Sequence, residues 1–240
     1  MMPTPTPTVP TYEVPGRTVA VVIPAYNEGK VIGPVVAGVC AAYSFVVVVD
    51  DCSKDDTGRC AAGAGAVVLR HVVNLGQGAA LQTGISYALL RGADLVVTFD
   101  ADGQHRVEDI AVLIETQART GADVVAGSRF LGKALDMPTA KRLLLKAAVQ
   151  FTRLTSGLDL TDAHNGLRLF TRAAAGKIRI SQNRMAHASE IVDQVGALGL
   201  RMVEAPVTVI YTSYSLAKGQ RVSNSVSVLF ELLLGRLSKT

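Results

Sequence analysis

Two aspartates and a glutamine follow one apolar run of the sequence at spacings that suit a metal ion. Asp100 and Asp102 stand one residue apart directly after LVVTF (95–99), and Gln104 comes two residues later. Mg²⁺ and Mn²⁺ prefer oxygen ligands and keep several positions for phosphate and water. Two carboxylates at the end of a strand can therefore share such an ion with substrate phosphates, and Gln104 could add its amide oxygen. Surface acids that cap the next helix are the alternative interpretation.

Two further acidic segments also end apolar runs. Residues 24–28 (PAYNE) close the first run, and residues 50–53 (DDCS) close the second. Acids in such places can accept hydrogen bonds from the base and ribose of a nucleotide. The glycine-rich turn NLGQG (74–78) lacks the third glycine of the dinucleotide-binding pattern, and the sequence contains no P-loop pattern. Dinucleotide and ATP binding of those two kinds are therefore disfavoured.

Positive charge is concentrated in the middle of the chain. Residues 1–128 carry 8 basic and 13 acidic side chains, whereas residues 129–184 carry 11 basic and 3 acidic ones. The basic block begins at Arg129, which follows Gly127 and Ser128 at the end of another apolar run. This block indicates an anionic partner, and a solvated helix face is the alternative.

Aromatic residues make up 5% of the chain and Trp is absent, so we expect no nucleic-acid partner bound by base stacking.

These residues need a scaffold that brings several strand ends together, and the hydrophobic pattern predicts one. Continuous apolar runs indicate strands covered on both faces, as in a parallel sheet. Helix patterns separate the runs, so the order predicts a doubly wound α/β domain, which binds ligands at the carboxyl ends of its strands. The predicted strands cover 18–26, 45–51, 66–71, 93–102 and 122–129, and the predicted helices cover 28–42, 57–64, 79–91 and 107–120.

The second half of the chain has a different pattern. A basic amphipathic helix is predicted over 139–156, another helix near 186–199, a strand over 202–212 and a last apolar helix over 223–237.

The Pro-Thr alternation of residues 1–17 is typical of a disordered leader. The N-terminus lacks the pattern of a secretory signal, and the three cysteines have no metal-ligand spacing. We therefore expect a reduced, cytoplasmic protein.

Taken together, the motifs resemble those of the family 2 glycosyltransferases. The first half of the chain carries VVIPAYNE (21–28), VVDDCSKDDT (48–57), NLGQGAALQTG (74–84), FDADGQH (99–105) and AGSRF (126–130). The later segments TDAHNGLRLFTR (161–172) and VTVIYTSYSLAKGQ (207–220) resemble the polyprenyl-phosphate branch, whose best-known member is dolichol-phosphate mannose synthase. The resemblance implies one GT-A-type domain over 18–222, with a mostly parallel sheet, followed by an amphipathic C-terminal helix over 223–240.

The resemblance also implies which residues bind the donor and the metal. In such enzymes the PAYNE segment and the Asp-Asp that ends the second run hold the nucleoside of the sugar nucleotide, and the first acid of the D-x-D motif lies near the metal and the nucleotide. The donor-binding residues would be Pro24, Ala25, Tyr26, Glu28, Asp51 and Asp100. Mg²⁺ or Mn²⁺ would be bound by Asp100, Asp102 and Gln104. Relatives commonly carry a lysine where Gln77 stands, which leaves the identity of the donor open.

Phosphate clamps and reaction-centre groups are implied in the same way. Arg129 and a second arginine, which we place at Arg142, would clamp the acceptor phosphate. Ser128 would bind phosphate or form the turn, and Arg168 of the NGLR motif would add a third cation. Asp162 would orient the reaction centre. The catalytic set implied by the resemblance is therefore Asp102, Arg129 and Asp162.

The implied reaction is an inverting transfer of a sugar from a GDP- or UDP-linked donor to a polyprenyl phosphate, dolichyl or undecaprenyl. The second pKa of a phosphate monoester is ~6, so the acceptor is largely a dianion near neutral pH and needs no strong base. Two alternatives stay open. One is a family 2 transferase with a non-lipid acceptor, and the other is a catalytically silent sugar-nucleotide-binding subunit of a membrane glycosylation complex.

A lipid acceptor would require the protein to reach a membrane surface. The predicted helices over 139–156 and 223–237 combine apolar residues with charge, which is typical of helices that lie in the membrane interface. We expect peripheral association with the inner face of the membrane. Packing of both helices on the sheet is one alternative, and docking of the second helix on a small integral membrane protein is another.

Overall fold

The apolar runs form the strands of one mixed sheet with helices on both faces. The computed structural model describes residues 14–156, 158–162, 165–183, 186–212 and 214–215. The predicted C-terminal helix over 223–237 and most of the predicted leader lie outside them, while Val14 and Arg17 pair in a short bridge. The elements are β1 (Val19–Ala25), α1 (Ile32–Ala42), β2 (Phe45–Asp50), α2 (Thr57–Gly63), β3 (Val67–Arg70), α3 (Gln77–Leu90), β4 (Leu95–Thr98), α4 (Glu108–Thr120), β5 (Val124–Leu135), α5 (Thr139–Ser156), β6 (Arg168–Thr171), α6 (Arg172–Lys177), α7 (His187–Ala197) and β7 (Met202–Ile210).

The sheet has the order β3-β2-β1-β4-β6-β5-β7. Strands β1 to β4 pair in parallel, as the continuous apolar runs predicted, and β5 pairs in parallel with β7. The mostly parallel sheet is therefore confirmed. Strand β6 was not predicted, and it lies antiparallel between β4 and β5. Its four residues, RLFT, are too few to stand out as a hydrophobic run.

Strand β5 is longer than predicted and continues to Leu135. Its extension pairs with β7, and the register shifts between Ser128 and Lys133. The regular pairing of β5 with β7 is therefore interrupted just after the Gly-Ser-Arg motif. This irregularity places Arg129 at the point where the regular part of β5 ends.

Helix α1 begins later than predicted, at Ile32, because residues 28–31 form a turn. The backbone N–H groups of Val31 and Ile32 both donate to the carbonyl oxygen of Glu28 at 2.9 Å. The turn leaves Glu28 between the end of β1 and the first helix. Its side chain is consequently available to the carboxyl edge of the sheet and does not lie on a helix surface.

Helix α3 packs on the sheet through a glycine. A Cβ atom placed on Gly84 would lie 2.3 Å from Val22 Cγ1 and 3.1 Å from Val49 Cγ2. Both valines are fully buried on β1 and β2. The close approach brings the N-terminus of α3, with Gln77, to the edge where the acidic motifs end.

We expect Gly84→Ala to lower the free energy of unfolding by about 1–3 kcal/mol, since the added methyl group overpacks a filled core. Gly176→Ala on α6 is the matched control, because it is exposed, no proline follows it and no atom lies within 4 Å of its Cβ position. The control should be neutral or stabilising by up to about 1 kcal/mol through helix propensity. Urea unfolding of both variants measures the difference, and equal midpoints would contradict the close packing of α3.

Candidate active site

The acidic motifs meet at the carboxyl edge of the sheet, as their positions after strands predicted. Residues Ala25 and Asp50 are register partners at the ends of β1 and β2. The backbone N–H of Asp51 donates to the carbonyl of Ala25 at 2.9 Å, and that of Phe99 donates to Val22 at 2.9 Å. The chain after β4 therefore enters the same edge as the chain after β1. The sheet itself places the PAYNE segment beside Asp51 and beside the chain that leads to Asp100.

Two side chains bond Asp100, and a glycine packs against it. Its carboxylate accepts from Gln77 Nε2 at 3.3 Å and bonds His105 Nε2 at 3.1 Å. A Cβ atom on Gly166 would lie 2.1 Å from Asp100 Oδ2, so only glycine fits beneath the carboxylate. Burial would raise the pKa of Asp100, but the hydrogen bond from His105 and nearby positive charges outweigh it and lower the pKa below its usual value. Asp100 is thus a fixed, ionised carboxylate.

Asp102 carries the opposite shift. Burial, followed by the negative charge of Asp100, raises its pKa to about 6, and Glu28 adds to the effect. Its carboxylate accepts from the backbone N–H of Gln104 at 3.1 Å. Two close carboxylates with unbalanced negative charge are what a divalent cation would stabilise. We call Asp100 and Asp102 the acidic pair.

The acidic pair fits a cation that takes most of its ligands from elsewhere. In the part of the chain that the structure describes, no group of three or more His, Cys, Asp or Glu side chains could hold a metal ion alone. Mg²⁺ is typically bound by one or two carboxylates together with phosphates and water. The side chain of Gln104, the third predicted ligand, donates from Nε2 to Ser215 Oγ at 3.1 Å. The oxygen-only donor set therefore suits Mg²⁺ or Mn²⁺ bound together with a phosphate substrate.

The predicted donor residues have different environments. Pro24 and Ala25 form the buried end of β1, and Tyr26, the next residue, is 40% exposed. Glu28 is buried, and its carboxylate accepts from Tyr214 Oη at 2.8 Å. The hydroxyl of Tyr214 has a raised pKa because of burial and the charge of Glu28. The residues just after β7 therefore cross to the PAYNE segment.

Asp51 is committed to the fold of a neighbouring loop. It is buried, and its carboxylate accepts from the backbone N–H groups of Leu75 at 2.9 Å and Gly76 at 2.6 Å. The carboxylate also bonds His71 Nδ1 at 2.7 Å. These bonds hold the turn that leads into α3. The structure thus places Asp51 at the predicted edge, with its carboxylate directed to the loop.

A buried ion pair forms the cationic side of the site. Arg129 Nε donates to Asp162 Oδ2 at 2.6 Å, and the backbone N–H of Arg129 donates to the same oxygen at 3.1 Å. Arg129 Nη1 donates to Tyr211 Oη at 2.6 Å. Burial would lower the pKa of Arg129, but Asp162 and Tyr211 outweigh it and raise the pKa. The guanidinium is therefore fixed on two sides and permanently charged.

Lys141, which the motifs did not single out, contacts the tyrosine of this cluster. Its Nζ lies 4.7 Å from the centroid of the Tyr211 ring, a cation–π contact. Burial lowers its pKa, the charge of Arg129 lowers it further, and Asp102 acts in the opposite direction. The ammonium group is therefore influenced by the charges of both Arg129 and Asp102. We call Arg129, Asp162, Tyr211 and Lys141 the Arg129 cluster.

The other two predicted clamp residues have different environments. Arg142 is exposed on α5, and its neighbour Lys141 is the residue whose side chain contacts Tyr211. Arg168 is buried on β6, where its Nη2 donates to the carbonyl of Ala188 at 3.3 Å. Burial lowers the pKa of Arg168 to about 10, and Asp162 and Asp100 partly offset that effect. Arg168 is thus a cation beneath the site and does not line it.

Two roles were predicted for Ser128, phosphate binding and turn formation, and its hydrogen bonds support turn formation. It is fully buried, and its hydroxyl bonds Thr161 Oγ1 at 2.6 Å. The same oxygen accepts from the backbone N–H groups of Phe130 and Leu131, each at 3.2 Å. These bonds hold the turn at the register shift of β5. The hydroxyl supports the position of Arg129.

Strand β7 and the residues after it supply partners that the motifs did not reveal. Glu204 accepts from the backbone N–H groups of Thr161 and Asp162. Tyr211 bonds Arg129, and Ser215 bonds Gln104. The signal for Glu204 was present, because a charged residue interrupts the apolar run of this strand. Nothing in the sequence indicated that the side chain of Tyr211 would face Arg129.

Comparisons with known proteins agree with this geometry. The family model for glycosyl transferase family 2 matches residues 20–179. The chain is 31% identical to a UDP-N-acetylglucosamine–dolichyl-phosphate N-acetylglucosaminyltransferase of Methanococcus voltae, over 93% of this chain and 98% of that protein. It is 34% identical to an undecaprenyl-phosphate mannosyltransferase of Micrococcus luteus, over 80% of this chain and 83% of that protein.

A solved structure shares the fold at lower sequence identity. Glucosyl-3-phosphoglycerate synthase from Mycobacterium tuberculosis, in complex with Mn²⁺ and UDP-glucose, has a TM-score of 0.70 and 20% identity, covering 93% of this chain and 79% of that one. The sheet edge, the acidic pair and the family match over two thirds of the sequence lead to one assignment. The chain belongs to glycosyl transferase family 2.

Proposed function

We propose that this protein transfers a sugar from a nucleoside-diphosphate sugar to a polyprenyl phosphate. The observation that carries the proposal is the meeting of the acidic pair with the Arg129 cluster at one sheet edge. An acidic pair suits the cation of a diphosphate donor, and fixed cations suit a second anion. The relatives named for dolichyl and undecaprenyl phosphate acceptors support a lipid monophosphate as that anion.

The charged residues of the chain fall into one group that suits the donor and another that suits the acceptor. Asp100 and Asp102, with Gln104 nearby, would hold Mg²⁺ or Mn²⁺ against the donor diphosphate. The bound ion supplies Lewis-acid stabilisation of the negative charge on the departing diphosphate. Arg129 presents a permanent charge held in place by Asp162 and Tyr211, so it can bind the acceptor phosphate without first being ordered. Lys141 can add a second cation from α5.

The environment of Asp162 is consistent with a phosphate nucleophile. An acceptor hydroxyl would need a general base, whereas a phosphate dianion attacks without one because its second pKa is ~6. Asp162 is only 2% exposed and is paired with Arg129, so it is suited to orienting that cation. In-line attack by the phosphate would invert the anomeric centre.

The test is a transfer assay with a panel of UDP- and GDP-sugars and a short-chain polyprenyl phosphate. We expect a glycosyl polyprenyl phosphate as product, loss of activity in EDTA and recovery with Mg²⁺ or Mn²⁺. Asp102→Asn should remove nearly all turnover, because it discharges one carboxylate of the acidic pair. Glu108→Gln, an exposed acid at the start of α4, is the matched control and should retain wild-type activity.

The outcomes of this assay separate the alternative functions. Transfer to a soluble acceptor alone would favour a family 2 transferase with a non-lipid acceptor. Nucleotide-sugar binding without turnover on any acceptor would favour a catalytically silent subunit. Full activity in EDTA would contradict the metal role of the acidic pair.

A second prediction distinguishes Lys141 from Arg142. We expect Lys141→Ala to lower kcat/KM for the short-chain acceptor by about 10- to 100-fold, since a hydrogen bond to a charged group contributes ~1.5–3 kcal/mol. Arg142→Ala should change it by less than about threefold, because that exposed side chain is outside the Arg129 cluster. Steady-state kinetics on both variants decides the assignment. The reverse ranking would restore Arg142 as the second clamp.

We also propose that α5 brings the protein to the membrane surface. Its outward residues include Arg142, Leu143 and Lys146, all exposed, and Leu143 is 65% exposed. Leu131 and Leu135 on the extension of β5 are also exposed, at 51% and 44%. Apolar and basic groups side by side are typical of an interfacial surface. None of the described helices has the length and hydropathy needed to cross a bilayer.

Vesicle binding tests this surface. Basic residues near anionic lipid contribute ~1 kcal/mol each, so reversing Arg142 and Lys146 to Glu should lower binding to anionic liposomes at least ~30-fold. Reversing the exposed Arg91 and Lys177 to Glu is the charge-matched control and should lower it much less. Co-sedimentation at low and high salt measures both. Unchanged binding of the α5 variant would contradict the proposal and leave a membrane-protein partner to be sought by co-purification.

A further inference from the structure

The loop that carries Asp162 is held by a glutamate of the last strand. Residues 158–162 have no helix or strand structure of their own. Glu204 on β7 accepts from the backbone N–H of Thr161 at 2.7 Å through Oε2, and from that of Asp162 at 2.8 Å through Oε1. One carboxylate therefore binds two consecutive amides of the loop. The position of the Asp162 backbone is set from outside the loop.

The same residues connect Glu204 to the phosphate-binding cation. Asp162 accepts from both Nε and the backbone N–H of Arg129. On its far side, Arg129 bonds Tyr211, which follows the end of β7. Glu204 thus acts on Arg129 through Asp162, while Tyr211 contacts it directly. Two points along one stretch of chain define where the guanidinium lies.

Other contacts hold the loop but end short of Asp162. Arg153 on α5 donates from Nε to the carbonyl of Leu160 at 2.7 Å, and the hydroxyls of Ser128 and Thr161 bond at 2.6 Å. These contacts place the approach to Asp162. Glu204 is the anchor that reaches the amide of Asp162 itself.

The chemistry of the anchor requires a carboxylate. Both oxygens of an ionised glutamate are acceptors, so each can receive one backbone N–H. A glutamine would turn its NH₂ group toward one of the two N–H groups and lose that bond. The amide left without an acceptor would favour rotation of the loop, and a displacement of about 1 Å at a reacting group can cost on the order of 10²-fold in rate.

We propose that Glu204 is a positioning residue that fixes Asp162, and through it Arg129, for the acceptor phosphate. The catalytic consequence rests on the function proposed above, whereas the fixing of the loop does not. Glu204→Gln should therefore lower kcat by about 10- to 100-fold. The KM for the nucleotide sugar should change by less than about twofold, since the acidic pair is untouched.

The experiment combines kinetics with hydrogen–deuterium exchange on the full chain. In Glu204→Gln at least one of the amides of Thr161 and Asp162 should exchange faster than in the wild type, because it has lost its acceptor. The matched control is Asp123→Asn, whose carboxylate accepts from the backbone N–H of Arg201 at 2.9 Å at the other end of the same strand pair. The control should keep wild-type kcat and unchanged exchange at Thr161 and Asp162.

A double-mutant cycle tests whether Glu204 acts through Asp162. In an Asp162→Asn background, Glu204→Gln should cost less than about twofold, because the group it positions is already altered. Independent, multiplicative losses would overturn the proposal, as would unchanged exchange or unchanged kcat in an active enzyme. If Glu204→Gln does not fold, Glu204→Asp, which keeps two acceptor oxygens on a shorter stem, should lower kcat and speed exchange at these two amides relative to the wild type, and wild-type values for both would overturn the proposal.

The two proposals can fail separately. A wild-type protein that transfers no sugar to any polyprenyl phosphate would refute the proposed function, while exchange at Thr161 and Asp162 is still measured without substrate. Slow exchange in Glu204→Gln, equal to that of the wild type, would refute the positioning role whatever the acceptor is.

Discussion

The buried ion pair between Arg129 and Asp162 is the constraint on which the cationic side of the site depends. Neither side chain is more than 9% exposed, and removing one partner of such a pair leaves an uncompensated buried charge that costs about 3–5 kcal/mol. The turn at Ser128, the loop at Thr161 and the end of β7 must therefore come together correctly. The sheet order meets this requirement, because β6 brings the loop between β4 and β5.

Across the edge, the acidic pair has the opposite electrostatic character. Arg129 and Asp162 balance each other, whereas Asp102 has a pKa raised to about 6 by burial and by Asp100. One side of the site is therefore complete without a ligand, and the other is stabilised by added positive charge. The cation that accompanies a diphosphate donor would neutralise the acidic pair, while the acceptor phosphate would bind the guanidinium of Arg129, which is already fixed.

The sequence predicted the features that depend on strand ends. Continuous apolar runs located β1, β2, β3 and β4, and carboxyl ends of parallel strands must share an edge, so Asp100 and Asp102 were expected near Glu28. The sequence could not show whether Lys141 or Arg142 faces the site. Adjacent helical residues point about 100° apart, and the rotation of the helix about its axis depends on tertiary packing. The hydrogen bonds that turn Asp51 to its loop, and the antiparallel insertion of β6, likewise arise only from the assembled fold.

Strand β7 lies beyond residue 179, where the match to the family model ends. A fragment designed on those bounds would keep every recognisable motif as far as Arg168 and lose Glu204 and Tyr211. It would also uncover the whole length of β5 as an edge strand, which is a template for aggregation. Such a fragment would expose β5 and lack the groups that bond Arg129 and the Asp162 loop, even though the motifs from PAYNE to NGLR were intact. For domain swaps among relatives, the natural boundary therefore follows β7 and includes the residues that reach back to Glu28 and Gln104.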